Sequence, residues 1–270
     1  MKTQVQSQSA SAEQKYFDCV VYARAYINEI KTVIPKKGDK YCAINASILS
    51  CEDGKTVYTT VDLIVSGNPA KEILRTYWDR KPTDRMNHKG PRWVADINVG
   101  SIRAESFSKR DGSIGAVLKG RLLNIRALRI GDELVVGTMG DDFQQPMLVA
   151  PGYINLLAPE KGKVSFSMLD GKVDDPNYQY ISLALKEEVP AINELIACDL
   201  CPKGYQHRET NPVIFATLEI SGLRAEGYRS KKDGTAKAAL KGVLSGVRYL
   251  KADGNIFVGG QKNTGAAQAA

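Results

Sequence analysis

The sequence predicts an all-β chain with one short helix in each half, folded as two tandem copies of one small domain. Two observations carry that prediction. A series of short motifs recurs downstream in the same order, and alternating apolar stretches are punctuated by glycine-rich turn signals.

The repeat is clearest in Arg103-Ala104-Glu105-Ser106-Phe107, which returns 121 positions on as Arg224-Ala225-Glu226-Gly227-Tyr228. At an offset of 122, Lys109-Arg110-Asp111-Gly112 returns as Lys231-Lys232-Asp233-Gly234, and Leu118-Lys119-Gly120-Arg121-Leu122 as Leu240-Lys241-Gly242-Val243-Leu244. Upstream, Tyr58, Val61 and Leu63 align with Tyr180, Leu183 and Leu185 at the same offset, and Tyr26-Ile27-Asn28 with Tyr153-Ile154-Asn155. Matches kept in one order identify a duplication.

Each copy reads alike. A strand near Tyr16 to Lys31 leads through the Pro35 to Gly38 loop to a second strand around Tyr41 to Cys51. Glu52-Asp53-Gly54 signals a turn, and Val57 to Val65 alternates as a third strand. Asn68 suits an N-cap and Pro69 the first helical position of a helix running to about Trp78. Two long strands follow, Arg92 to Phe107 and Gly115 to Arg129, joined at the Lys109 to Gly112 hairpin. The second copy places its elements near 146–157, 163–170, 178–185, 189–198, 212–229 and 236–250.

This β-β-β-α-β-β order is that of the OB-fold, a small, partly open Greek-key barrel. The expectation is therefore two tandem OB-fold barrels, about residues 15–138 and 143–260, with disordered tails at 1–14 and 261–270. Gly100 and Gly222 fall mid-strand, where a barrel needs a bulge to curl its sheet. Apolar parity switches there, from Ile97 and Val99 to Ile102 and Ala104. The switch sends Arg103, Glu105 and Phe107 outward together, and Arg224, Glu226 and Tyr228 in the second copy.

Composition narrows the function. Hydrophobic residues at 43% suffice for real cores, and a net charge of +7 admits an anionic partner without proving one. No run approaches the roughly 20 apolar residues that span a bilayer, and Met1 to Gln14 lacks the apolar region of a signal peptide. No membrane association is expected. The five cysteines, an odd number, fit reduced thiols in a cytoplasm.

Enzyme signatures are missing. The sequence has two histidines, His88 and His207, and neither a Gly-x-x-x-x-Gly-Lys-Ser/Thr loop nor a Gly-x-Ser-x-Gly elbow. Asp53 and Asp174-Asp175 fall in turns, which they solvate. Cys198-x-x-Cys201 with His207 has metal-ligand spacing but lacks the second pair of a structural zinc site. Two reduced thiols at a helix end is the plainer reading. His207-Arg208-Glu209 reverses the order of zinc deaminases and lacks their Pro-Cys. A non-enzyme without cofactor or metal is expected.

The first copy resembles the small replication-associated proteins encoded on bacterial integrating conjugative elements. The resembling residues are Lys15-Tyr16-Phe17-Asp18, Tyr26-Ile27-Asn28, Pro35-Lys36-Lys37-Gly38-Asp39, Val65-Ser66-Gly67 and Leu118-Lys119-Gly120-Arg121-Leu122-Leu123. The resemblance spans about residues 15 to 128, with a fainter version in the second copy. It implies an OB-fold similar to that of bacterial single-stranded-DNA-binding proteins, and a role in replication or transfer of a mobile element. Replication or conjugation proteins are partners that such a role admits. Such binders often assemble four barrels, a count that a homodimer of this chain would match.

Single-strand binders pair a cationic groove for phosphates with flat rings for bases. In the first copy the residues fitting this are Lys36, Lys37, Arg103, Phe107, Lys109, Arg110, Lys119 and Arg121. In the second they are Arg224, Tyr228, Arg229, Lys231, Lys232 and Lys241. The bland alternative is a solvated face, and Glu105 and Glu226 dilute the charge. Tyr41, Tyr58, Trp78, Trp93, Phe166, Tyr180, Tyr205 and Phe215 either stack bases or fill the barrels, and the sequence leaves that open. Non-catalytic binding of single-stranded DNA is the function expected. RNA binding or strand annealing, and a protein-docking scaffold, are the alternatives.

Overall fold

Alternation along the chain builds the first layer of structure. Between Val20 and Val33, the side chains of Val21, Ala23, Ala25 and Ile27 are buried, while Tyr22, Arg24, Tyr26 and Asn28 point the other way. The computed structural model describes residues 16–52, 54–82, 90–140, 145–186, 188–207 and 209–259. The predicted tails, Asp53, His88 and Arg208 lie outside the described residues.

Among the described residues the chain is mostly β with two short α-helices. Its strands are β1 Tyr16–Phe17, β2 Val20–Val33, β3 Tyr41–Glu52, β4 Lys55–Val65, β5 Trp93–Ser108, β6 Ile114–Ile130 and β7 Glu133–Val136. The second copy adds β8 Met147–Ala158, β9 Lys163–Lys172, β10 Pro176–Ala184, β11 Ile214–Arg229, β12 Ala236–Ala252 and β13 Asn255–Val258. The helices are α1 Asn68–Thr76 and α2 Pro190–Ala197. Among the described residues no helix is long and apolar enough to cross a membrane.

Backbone pairing closes two rings of five strands. The first runs β2-β3-β4-β6-β5 and back to β2; the second runs β8-β9-β10-β12-β11 and back to β8. Within the rings, β4–β6 and β10–β12 are parallel and the other pairs antiparallel. Inward side chains fill both interiors, and Trp93 and Phe166 are fully buried there. These two rings are therefore core, not stacking platforms. Arg24 clamps the closing β2–β5 pair, its Nε and Nη2 donating to Asp96 at 2.8 and 3.1 Å.

The bulge forms where parity predicts it, but one residue on from Gly100. Register slips between Gly100 and Arg103 and between Ser221 and Arg224. The left-handed residue is Ser101 (φ 49°) in the first ring and Gly222 (φ 56°) in the second. Gly100 serves a different need: a side chain there would meet Leu123 Cδ1 at 2.8 Å. Helix α1 also starts differently from expectation. Gly67 is its N-cap and Asn68 its first residue, because the amides of Ser66 and Gly67 both donate to the Leu122 carbonyl at 3.0 Å and pin the chain against β6.

The third strands align at an offset of 120, two less than sequence matching suggests. Ala46 pairs with Val61 where Phe166 pairs with Ile181, and Val61 pairs with Leu118 where Ile181 pairs with Leu240. Tyr58 therefore corresponds to Tyr178, and Thr60 to Tyr180.

The rings join through their first strands. β2 pairs with β8 antiparallel, matching Val20 with Val149, Val21 with Leu148 and Tyr22 with Met147. Val21 and Leu148 are equivalent residues in the Tyr26–Tyr153 alignment, so a local two-fold axis passes through this pair. Each lead-in segment crosses to the other ring. Phe17 pairs with Gly171, and Gln145 exchanges hydrogen bonds with the Cys51 backbone. The buried residues of both rings form one continuous cluster.

An L-residue at positive φ is strained by roughly 1–2 kcal/mol, a strain glycine avoids. Ser101→Gly is expected to raise unfolding stability by about 0.5–1 kcal/mol in urea titration, after glycine's greater unfolded-state entropy is subtracted. An unchanged or lower stability would contradict the assignment of strain to Ser101.

Candidate nucleic-acid interface

Beyond the bulges, β5–β6 and β11–β12 continue as long hairpins outside the rings, and these carry most of the residues expected to bind. Phe107 is 47% and Tyr228 44% exposed. Arg103, Arg121, Arg224 and Arg229 are exposed. Two lysines are already paired: Lys119 Nζ donates to Glu105 Oε1 at 2.6 Å, and Lys241 pairs with Glu226. The Lys241 hydrogen bond, with its charge, holds the Glu226 carboxyl below the usual range.

Aspartates shape the hairpin tips. Asp111 accepts from the Ser113 amide and hydroxyl at 2.9 and 2.6 Å, and Asp233 from the Thr235 amide and hydroxyl at 3.1 and 2.7 Å. Hydrogen bonds from Ser230 and Thr235 hold the Asp233 carboxyl well below the ordinary carboxylate range. The fixed turns leave Lys109, Arg110, Lys231 and Lys232 exposed at the tips. Lys36 and Lys37 are exposed on a different element, the β2–β3 loop.

The two hairpins touch. Ser106 Oγ donates to the Ala236 carbonyl at 3.1 Å, and a side chain on Gly227 would stand 2.8 Å from the Gly115 carbonyl oxygen. Ser106 and Gly227 are repeat equivalents, so the contact follows the local two-fold. Phe107 has a structural duty as well, because its ring lies over its cross-strand partner Gly115 and leaves no room for a Cβ there. In the first ring a groove of about 500 Å³ runs from this hairpin across Asn45, Thr60 and Asp62.

A second surface was not singled out as a site from sequence. On the outward side of the second ring, Tyr178 is 58%, Tyr180 63% and Tyr153 36% exposed. Phe215 stands edge-on to Tyr153 at 5.4 Å and to Tyr249 at 6.1 Å between ring centroids. These rings line two adjoining grooves of about 520 and 540 Å³ that share Tyr153 and Val213. Lys251 lines the second of them. Four strands contribute one or two rings each, so no stretch of sequence advertises the cluster. The alternation Tyr178-x-Tyr180 was its one local signal. Of the other aromatics, Trp78 is half-buried under Lys81, whose Nζ lies 4.1 Å from the ring centroid. Tyr58 is exposed beside Tyr26, at 6.1 Å. Tyr41 is half-buried at the start of β3, and Tyr205 opens a short 3-10 helix.

Cys198 is exposed at the end of α2, and His207 lies in the 3-10 helix Tyr205–His207. No group of three or more His, Cys, Asp or Glu among the described residues is placed to hold a metal ion. Burial, helped by the charges of Asp199 and Glu160, pushes the Cys201 thiol up. Cys19 is buried deeper, and burial with the Asp170 charge pushes it up to about 12.

A family model described as "Protein of unknown function (DUF3577)" matches residues 10–142, a span covering the first ring. No curated protein matches the chain. Among solved structures, one similar chain is a deletion mutant of the single-stranded DNA binding protein from Thermus aquaticus. It is 11% identical, and the match covers 88% of this chain and 95% of that one at a TM-score of 0.38. At that score and identity the likeness assigns no residue.

Thiolate is the reactive form of cysteine. Iodoacetamide at neutral pH is expected to label Cys198 in the folded protein and to spare Cys19 until denaturant is added, read by peptide mass spectrometry. Labelling of native Cys19 at the Cys198 rate would contradict its burial.

Proposed function

We propose that the chain is a non-catalytic binder of single-stranded DNA, built as two tandem OB-fold barrels of about residues 15–138 and 143–260. The ring order supports the fold reading: first, second, third, fifth and fourth strands closing on the first, with a helix between the third and fourth, is an OB-fold arrangement. The observation that carries the functional reading is the row of outward aromatic rings at Tyr153, Tyr178, Tyr180, Phe215 and Tyr249. OB-folds bind nucleic acid across the face of their second and third strands and the loops beside it. Tyr178 and Tyr180 stand on the third strand of the second ring, and the Lys231-Lys232 tip belongs to one of those loops.

In this reading bases stack on the rings, and exposed cations such as Lys251, Lys231 and Lys232 meet the phosphates. Stacking needs no base-edge contact, so binding tolerates any sequence. The setting in replication or transfer of a mobile element rests on the sequence resemblance of residues 15 to 128, and a cytoplasmic location on the five cysteines, an odd number that fits reduced thiols. Replication or conjugation partners and a homodimer belong to the same reading.

Fluorescence anisotropy with oligo-dT tests it. Binding is expected, with a log–log salt slope of about −0.7 per phosphate neutralised, or roughly −3.5 for about five contacts. Duplex DNA should bind more weakly because its bases are already stacked. No binding to oligo-dT or oligo-U would remove the reading in favour of a protein-docking scaffold, and preference for oligo-U would make RNA the ligand.

A further inference from the structure

We infer that base stacking is confined to the second ring, and that the equivalent face of the first ring does not take up bases. This rests on the single-strand reading above and specifies which half of the molecule carries it.

Strand pairing gives the correspondence residue by residue. Tyr180, Phe215 and Tyr249 of the second ring occupy the positions of Thr60, Val94 and Ala127 in the first. The first face has thus no counterpart for three of the five rings. Its remaining pair, Tyr26 and Tyr58, is partly engaged. The two rings sit 6.1 Å apart, and the Arg92 guanidinium lies 5.6 Å from the Tyr26 centroid.

Charge diverges in the same direction. Asp62 pairs in register with Lys119 on the first face, and Ser182 takes the same place beside Lys241. Lys119 is already bonded to Glu105, so Asp62 adds a second carboxylate where a phosphate would pass. The first face's amides are also bound to one another. Asn28 Nδ2 donates to Asn45 Oδ1 at 3.1 Å and to Ser47 Oγ at 2.9 Å, and Asn45 Nδ2 donates to Asp62 Oδ1 at 2.7 Å. The second face keeps one link of that chain, Asn155 Nδ2 to Ser167 Oγ at 2.7 Å, and has Ser165 and Ser182 where the first has Asn45 and Asp62. The acid that does line its groove, Asp253, accepts the Val213 amide at 2.8 Å.

The first ring supplies the substitutions for the test. In the full-length chain, Tyr180→Thr, Phe215→Val and Tyr249→Ala together give the second face the first ring's residues. Oligo-dT affinity by anisotropy is expected to fall about tenfold or more, because each stacked base is worth a sizeable free energy. Tyr58→Ala is expected to change affinity less than about twofold by the same reasoning. Asp62→Ser is expected to leave the number of oligonucleotides bound per chain at one. Should the triple variant fail to melt cooperatively, Tyr180→Thr alone decides, since that side chain is 63% exposed. Equal losses from Tyr58→Ala and from the second-ring variants would overturn the inference and leave the single-strand reading standing. Full affinity in the triple variant and in Tyr180→Thr would also overturn it. A wild-type chain that binds no single strand would remove the reading itself.

Discussion

The bulges after Gly100 and Ser221 are the constraint on which the rest of the molecule depends. β5 and β11 are each 16 residues long, more than a ring of this size takes up. The register slip lets the first part of each strand close the ring and frees the rest to run on as a hairpin. Without it, inward parity would continue and bury Arg103 and Arg224, at a cost no core of this kind could offset. The hairpins then have the length to meet across the local two-fold, where Ser106 Oγ donates to the Ala236 carbonyl.

The pairing of β2 with β8 gives that arrangement its symmetry. Equivalent strands meeting antiparallel is the geometry of a two-fold dimer interface, here formed within one chain. Fusion changes what such an interface allows. A homodimer must carry the same residues on both faces, whereas two copies in one chain diverge independently. Tyr180 against Thr60, Phe215 against Val94 and Ser182 against Asp62 are that divergence, arranged about a shared core that keeps the two rings in fixed relation.

Much of this was legible in the sequence. Duplication, element order, outward Phe107 and Tyr228 and the basic hairpin tips all follow from motif order and period-two alternation. Other features were hidden for physical reasons. A strand slipped by two residues keeps every side chain on its face, so Tyr58 could be matched to Tyr180 without breaking the pattern. Ser101 was passed over because serine carries no mark of left-handed backbone, and Gly100 beside it does. Trp93 and Phe166 look like stacking rings until the inward alternation of their strands is followed. The short strands β7 and β13 follow the turn signals Gly131-Asp132 and Asp253-Gly254, but at four residues each they are too brief for alternation to mark them. The aromatic face was least accessible, because β8, β10, β11 and β12 each supply part of it from positions up to about a hundred residues apart.

The account's central claim is that a single strand lies across the outward rings of the second copy. Photocrosslinking with an oligonucleotide carrying 5-iodouridine, followed by peptide mass spectrometry, tests it most directly. Crosslinks are expected at Tyr153, Tyr178, Tyr180, Phe215 or Tyr249. Crosslinks restricted to the first ring, or to the hairpins at Phe107 and Tyr228, would contradict it.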